Sequence, residues 1–161
     1  MGVLTALTAL AACAAAGHLQ ARSLAVREQR LRAWAEAWER AEGALRRGGE
    51  ELPALLRLAA GQDVPALAGL ARQLEESPGL APGDLLLPQE PLLSPAETEA
   101  LLACLPALFS PDPGRQLAAV ERTREAAERL CRAALEKKEK NGRLSVSLGW
   151  LAGAAAFLLL C

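Results

Sequence analysis

The fold is decided by residues 31–45, which read LRAWAEAWERAEGAL. The large apolar residues of this stretch recur at spacings of three, four and seven residues: Leu31, Trp34, Trp38 and Leu45. Such spacings place side chains on one face of an α-helix, with charged residues on the other faces. The pattern predicts an amphipathic helix, and we interpret the two tryptophans as core residues of a helix seam rather than as a ligand-stacking pair.

Proline placement divides the chain around this helix. All ten prolines lie between Pro53 and Pro113, so the stretches on either side can form uninterrupted helices. We therefore predict a stem over residues 22–47, a head over 48–112 and a returning stem over 113–143. The two stems are expected to pair antiparallel.

The head is predicted to contain three short helices. The first runs from Glu51 to Ala60, and the second runs from a cap at Asp63 to about Glu76. The third opens at Ser94 with the sequence SPAE, which has the capping-box pattern. The proline-rich stretch before the third helix is predicted to be a surface loop.

The composition favours an all-helical fold. In 161 residues there are only two Phe, three Trp and no Tyr, so alanine and leucine supply most of the apolar fraction. Both residues favour helices over strands. The predicted fold class is therefore all-α, an antiparallel helical bundle.

Both ends of the chain lack formal charge. With His18 neutral, residues 2–21 and 144–161 form uncharged runs of 20 and 18 residues. Eighteen helical residues rise about 27 Å, close to the thickness of about 30 Å of a bilayer's hydrocarbon core. We therefore predict an N-terminal and a C-terminal transmembrane helix that anchor the bundle in a membrane.

The flanking charges predict the orientation of these helices. Lys and Arg residues follow the first run and precede the second, and none lies outside either run. The positive-inside rule then places residues 22–143 in the cytoplasm and both termini across the membrane. An alternative stays open, because Leu10-Ala-Ala-Cys13 resembles a lipoprotein box. The protein would then be a lipoprotein or secreted helical binding protein cleaved before Cys13.

Charge is divided between stems and head. The stems together carry a net charge of +7 and the head carries −8, while the whole chain carries −1. The near-neutral total argues against nucleic-acid binding. The acidic head is interpreted either as a solvated surface or as a docking face for a basic partner. The candidate docking residues are Glu75, Glu76, Glu97 and Glu99.

Catalytic and metal-binding motifs are missing from the sequence. It contains no GxxxxGK[ST], no GxGxxG, no nucleophile elbow, one histidine and four cysteines without a CxxC pair. These motifs and ligand spacings are what nucleotide, nucleophilic and zinc chemistry require. We therefore predict no catalytic residue, no cofactor, no metal ligand and no enzyme activity.

The chain resembles a known family along its whole length, specifically in about the last 50 residues and loosely in the head. Residues 147–153, SLGWLAG, follow a Lys/Glu-rich stretch at 136–141 and precede an apolar tail. This arrangement resembles the C-terminal signature of stage III sporulation protein AB, and Asp112-x-x-x-Gln116 matches the pattern of the same family upstream. The signature residues are Asp112, Gln116, Ser147, Leu148, Gly149 and Gly153.

The resemblance implies a role in sporulation. Proteins of this family belong to the channel complex between mother cell and forespore, in the mother-cell membrane surrounding the forespore. Their soluble domain is similar to the cytoplasmic domain of inner-membrane platform proteins of type II secretion and type IV pilus systems. The resemblance thus implies a noncatalytic platform, with a cytoplasmic secretion-type ATPase and other channel proteins as partners. The oligomeric state stays open.

Overall fold

The chain is helical throughout its regular secondary structure. The computed structural model describes residues 2–88 and 90–160, and this part contains no strand. The predicted all-α class is therefore confirmed. The helices are α1 (Gly2–Arg46), α2 (Leu52–Ala60), α3 (Pro65–Glu76), α4 (Pro95–Leu102), α5 (Leu105–Leu108) and α6 (Pro113–Leu160), with a 3₁₀ turn at Pro82–Asp84.

Two glycines end α1. Gly48 and Gly49 have φ angles of 127° and 75°, in the region that residues with a Cβ avoid. This conformation lets the Gly49 amide donate a hydrogen bond of 3.3 Å to the carbonyl of Ala44. The carbonyl groups at the end of the helix thus gain a partner as the chain turns away.

A third glycine shapes the connection between α2 and α3. Gly61 has a φ of 53°, and a Cβ at this position would lie 3.2 Å from Nη2 of Arg40. The Arg40 guanidinium donates hydrogen bonds of 3.1 and 2.8 Å to the carbonyl of Ala59, at the C-terminal end of α2. Glycine therefore permits both the turn and the close approach of an α1 side chain.

The start of α3 differs from the prediction. Asp63 does not cap this helix. The residue before the first turn is Val64, and it makes no side-chain cap hydrogen bond. Pro65 fixes the start, because proline disfavours a helical conformation in the residue before it and suits the first helical turn. The carbonyl of Asp63 instead accepts a hydrogen bond of 3.3 Å from Nη1 of Arg30.

The capping box of α4 is confirmed. The backbone amide of Glu97 donates to Oγ of Ser94 at 3.3 Å, and the Ser94 amide donates to Oε2 of Glu97 at 2.8 Å. The sequence pattern does not predict α5, because a helix of one turn carries no periodicity. The loop before α4 has no regular structure in its described residues beyond the 3₁₀ turn.

The chain divides into two compact units. The central unit is Arg30–Cys131, and the terminal unit combines Met1–Gln29 with Arg132–Cys161. In the central unit, Nη2 of Arg46 lies 2.8 Å from Oε1 of Glu121, and Nε of Arg124 lies 2.7 Å from Oε2 of Glu42. Because the residue number falls along α1 as it rises along α6, these two helices are antiparallel here.

The core of the central unit draws apolar side chains from all six helices. Leu31, Trp34 and Trp38 are buried, Leu45 is half-buried, and the two indole rings lie 6.2 Å apart with a tilt of 35°. The other helices contribute mainly leucine, valine and alanine: Leu55, Leu56, Leu67, Leu70, Leu101, Leu105, Val120 and Ala127.

The terminal unit contains a charge pair between α1 and α6. Glu28 is buried, and Nζ of Lys138 donates a hydrogen bond of 3.3 Å to its Oε2.

Within residues 2–88 and 90–160, no helix combines the length and the apolar character that crossing a bilayer requires. The two membrane helices therefore stay a prediction. The structure describes the backbone of Cys13, Gly149 and Gly153 but not what surrounds these residues.

Candidate functional site

The four candidate docking residues lie at two places in the head. Two stand at the C-terminal end of α3 and two in α4: Glu75, Glu76, Glu97 and Glu99. Glu97 is half-buried and caps its own helix, and Glu75 forms an ion pair with Arg57. Glu76 and Glu99 are exposed and have no hydrogen bond or ion pair within the described part of the chain. Of the four candidate docking residues, these two carboxylates are therefore the most available to a basic partner.

A short segment between these places is hydrogen-bonded to α3. We call residues 85–88 the strap. The side-chain amide of Gln73 donates to the carbonyl of Leu86 at 3.2 Å, and its Oε1 accepts from the Leu86 amide at 3.1 Å. Within the strap, Leu85 is buried, while Leu86 and Leu87 are 77% and 57% exposed. The strap therefore presents two leucine side chains outward from a fixed backbone.

A groove of about 730 Å³ lies between the strap and α4. Apolar side chains form most of its lining, among them Leu87, Pro91, Leu93 and Leu102. The charged residues that line it are both acidic, Glu90 and Glu99. An apolar floor with an acidic rim can accept a partner that is both apolar and basic.

The upstream signature residues build the turn between α5 and α6. Nε2 of Gln116 donates hydrogen bonds of 3.1 Å to the carbonyl of Leu108 and 2.7 Å to that of Ser110. Oδ1 of Asp112 accepts a hydrogen bond of 3.0 Å from the amide of Gly114 in the first turn of α6. Both side chains thus satisfy backbone groups at a corner, and they set the direction in which α6 leaves the head.

We expect Gln116→Ala to lower the free energy of unfolding by about 1–3 kcal/mol, because two partly buried carbonyls lose their donor. Gln116→Glu should lose a similar amount at neutral pH, since a carboxylate has nothing to donate. Urea denaturation of the full chain measures both values. The matched control is Gln62→Ala, an exposed residue whose loss should stay within about 0.5 kcal/mol. A Gln116→Ala loss as small as that of the control would contradict the role of this turn.

The downstream signature residues belong to the C-terminal part of α6. Ser147 and Leu148 are exposed there, and several apolar neighbours are exposed as well: Leu144, Trp150 and Leu151. Exposed apolar side chains in such density are typical of a surface that contacts lipid or another protein.

An ion-pair cluster connects α1 with α6 in the central unit. Oε1 of Glu42 lies 2.7 Å from Nη2 of Arg46, and Arg124 pairs with both Glu42 and Glu128. Burial lowers the pKa of Arg124, but its hydrogen bond to Glu42 and the charges of Glu128, Glu42 and Glu125 outweigh that effect and raise the pKa. The cluster is structural, and the stem sequences alone do not reveal which charges meet.

The buried cysteine of the central unit is unsuited to nucleophilic chemistry at neutral pH. Burial raises the pKa of Cys104 to about 12, although a hydrogen bond with Thr123 lowers it in part. The thiol therefore stays protonated, and the thiolate is the reactive form. Within the described residues, no group of three His, Cys, Asp or Glu side chains has a geometry that could hold a metal ion.

Comparison with known families identifies the C-terminal part of the chain. Residues 86–161 match the family model of stage III sporulation protein AB. This match covers 76 of the 161 residues. The resemblance seen in the sequence is thereby confirmed over residues 86–161. No curated protein and no solved structure matches the chain.

The stage III sporulation protein AB match covers the features described above only in part. It begins at Leu86 in the strap and includes α4, α5 and α6, so the groove, the Gln116 turn and the C-terminal signature fall within it. Helices α1, α2 and α3 precede it. The family assignment implies a role connected with sporulation.

Proposed function

We propose that the chain is a noncatalytic platform protein of the channel complex between mother cell and forespore. It anchors the assembly in the mother-cell membrane surrounding the forespore, and it binds a cytoplasmic secretion-type ATPase and other channel proteins. The observation that carries this proposal is the family match over residues 86–161. In the proposal, the helical bundle supplies docking surfaces and no chemistry.

The ends of the chain support the anchoring part of the proposal. Residues 2–21 and 144–161 are uncharged, and basic residues stand on the inner side of each run. Basic residues next to a membrane gain roughly 1 kcal/mol each from anionic headgroups. The described apolar side chains near the end of α6, such as Leu148 and Leu151, are exposed in the isolated chain and would contact lipid.

The charge distribution supports the coupling part. The head carries −8 and the stems carry +7, so a basic partner is attracted to the part of the chain that lies farthest from the membrane in sequence. Among the candidate docking residues, Glu76 and Glu99 are exposed and make no hydrogen bond or ion pair with the described residues.

A labelling experiment tests the orientation. Gln62, exposed in the connection between α2 and α3, is replaced by cysteine in a Cys-free background. We expect this cysteine to resist a membrane-impermeant maleimide in intact protoplasts and to react after permeabilisation. The matched control restores Cys161 at the outer end of the second uncharged run, and this cysteine should react in intact protoplasts. Ready labelling of Gln62→Cys in intact protoplasts would overturn the orientation.

The lipoprotein alternative predicts a different intact mass. An intact mass of the membrane-extracted protein that lacks residues 1–12 and includes added lipid would support cleavage before Cys13 and contradict two retained membrane helices. The full mass of 161 residues would support the platform proposal.

A further inference from the structure

The groove beside the strap is a preformed surface. The Gln73 side chain donates one hydrogen bond to the backbone of Leu86 and accepts another from it, and the buried side chains of Leu85 and Leu93 anchor the chain on either side of the exposed leucines. Outward-facing leucines on a held backbone expose apolar area to water that a partner can cover. Leu92, between the groove-lining Pro91 and Leu93 in sequence, is also 39% exposed.

The hydrogen bonds of the strap indicate which kind of segment can bind. Adding a strand to an edge requires free backbone N–H and C=O groups. Gln73 already occupies both groups of Leu86, and Pro88 has no N–H, so the four-residue strap offers too few free donors for strand addition. Recognition must instead use side chains, as it does when an amphipathic helix lays its apolar face in a groove.

The acidic rim indicates the charge of that segment. Glu90 and Glu99 line the groove, and neither basic residue of the head, Arg57 or Arg72, lines it. An acidic segment would meet like charges, whereas Lys or Arg beside the apolar face would meet opposite ones.

We propose that the groove between the strap and α4 binds an amphipathic helix of a partner protein, with Leu-type side chains on one face and Lys or Arg beside them. This inference goes beyond the proposed function, because it names a surface and the chemistry of its ligand. It does not depend on the membrane anchors or on the identity of the partner. Its failure would leave the proposed anchoring untouched.

Binding of a defined peptide tests the inference. The probe is a fluorescein-labelled helical peptide of Leu and Lys, with Leu at i, i+3, i+4 and i+7, and the protein is the purified full chain. Fluorescence anisotropy measures the Kd, with the solubilising medium alone as the blank. We expect Leu87→Ser to weaken binding by about tenfold, since the exposed leucine that lines the groove is lost. Glu90→Gln with Glu99→Gln should weaken it about threefold at 0.1 M salt and have little effect at 1 M.

Controls of matched composition accompany these variants. Leu58→Ser removes an exposed leucine from α2, and Glu50→Gln with Glu51→Gln removes two exposed charges outside the groove. Neither should change the Kd. A peptide with Glu in place of Lys should not bind measurably.

Three outcomes would overturn the inference. The first is an unchanged Kd in the Leu87→Ser variant. The second is equal affinity of the parent for the Lys and Glu peptides. The third is a loss of self-association in the leucine variant without a change in peptide binding, which would make the groove an interface between two copies of the chain.

Discussion

Trp38→Ala is expected to lower the free energy of unfolding by about 3–5 kcal/mol. The ring is 0% exposed, so alanine leaves a cavity in a core that draws on every helix of the central unit. The indole N–H of Trp38 is buried without an acceptor in the described structure. The loss is therefore one of apolar contacts and packing rather than of a hydrogen bond. Urea denaturation of the full chain, followed by far-ultraviolet circular dichroism, measures it.

Two further variants separate the causes of this loss. Trp38→Phe keeps most of the ring and removes the unpaired N–H, so its cost should be well below that of Trp38→Ala. Leu58→Ala changes an exposed residue and should stay within about 0.5 kcal/mol. A loss below about 1 kcal/mol for Trp38→Ala would mean that the ring is exposed in solution.

The second large effect concerns the charge of the head. We expect replacement of Glu75, Glu76, Glu97 and Glu99 by Gln to slow association with a basic cytoplasmic ATPase about tenfold at low salt. Gln keeps size and helix preference, and it can still serve in the capping box of α4. The lost pair between Glu75 and Arg57 lies at the surface and adds about 0–1 kcal/mol, so folding should survive.

Salt and a matched variant make this experiment specific. The rate difference should shrink as the Debye length falls from about 10 Å at 0.1 M to about 3 Å at 1 M. The control replaces four acidic residues of the stems: Glu36, Glu39, Glu121 and Glu125. It removes the same number of charges from a region with a basic excess, so it should slow association less. Equal slowing by both variants, or none by the head variant, would contradict docking at the head.

Local sequence features predict most of the helices. Proline-free stretches and the spacing of Leu31, Trp34 and Trp38 predict the long helices, because an apolar repeat of three and four residues matches the period of a helix and not that of a strand. Ser94 and Glu97 predict the start of α4, because a capping box is complete within four residues. Asp63 was the wrong cap for α3, because the constraint that Pro65 places on its neighbour outweighs a side-chain cap preference.

The candidate site is less visible in the sequence. Composition marks the head as acidic and places Glu76 and Glu99 in it, but composition does not distinguish them from Glu97, whose carboxylate caps a helix. In the sequence, only the family resemblance singles out Gln116. The structure shows its role at the turn, where it donates two hydrogen bonds to backbone carbonyls.

The sequence by itself determined the all-α class and the family resemblance of the C-terminal part, because each depends on patterns along the chain. Only the tertiary structure decided which side chains meet across long separations. Arg124 pairs with Glu42, which lies 82 positions away in the sequence, and Gln73 forms hydrogen bonds with Leu86, which lies 13 positions away. Such contacts depend on the angles at which helices pack and loops close, and no local propensity encodes those angles. For that reason the exposed leucines and the acidic groove emerge only when the chain is folded.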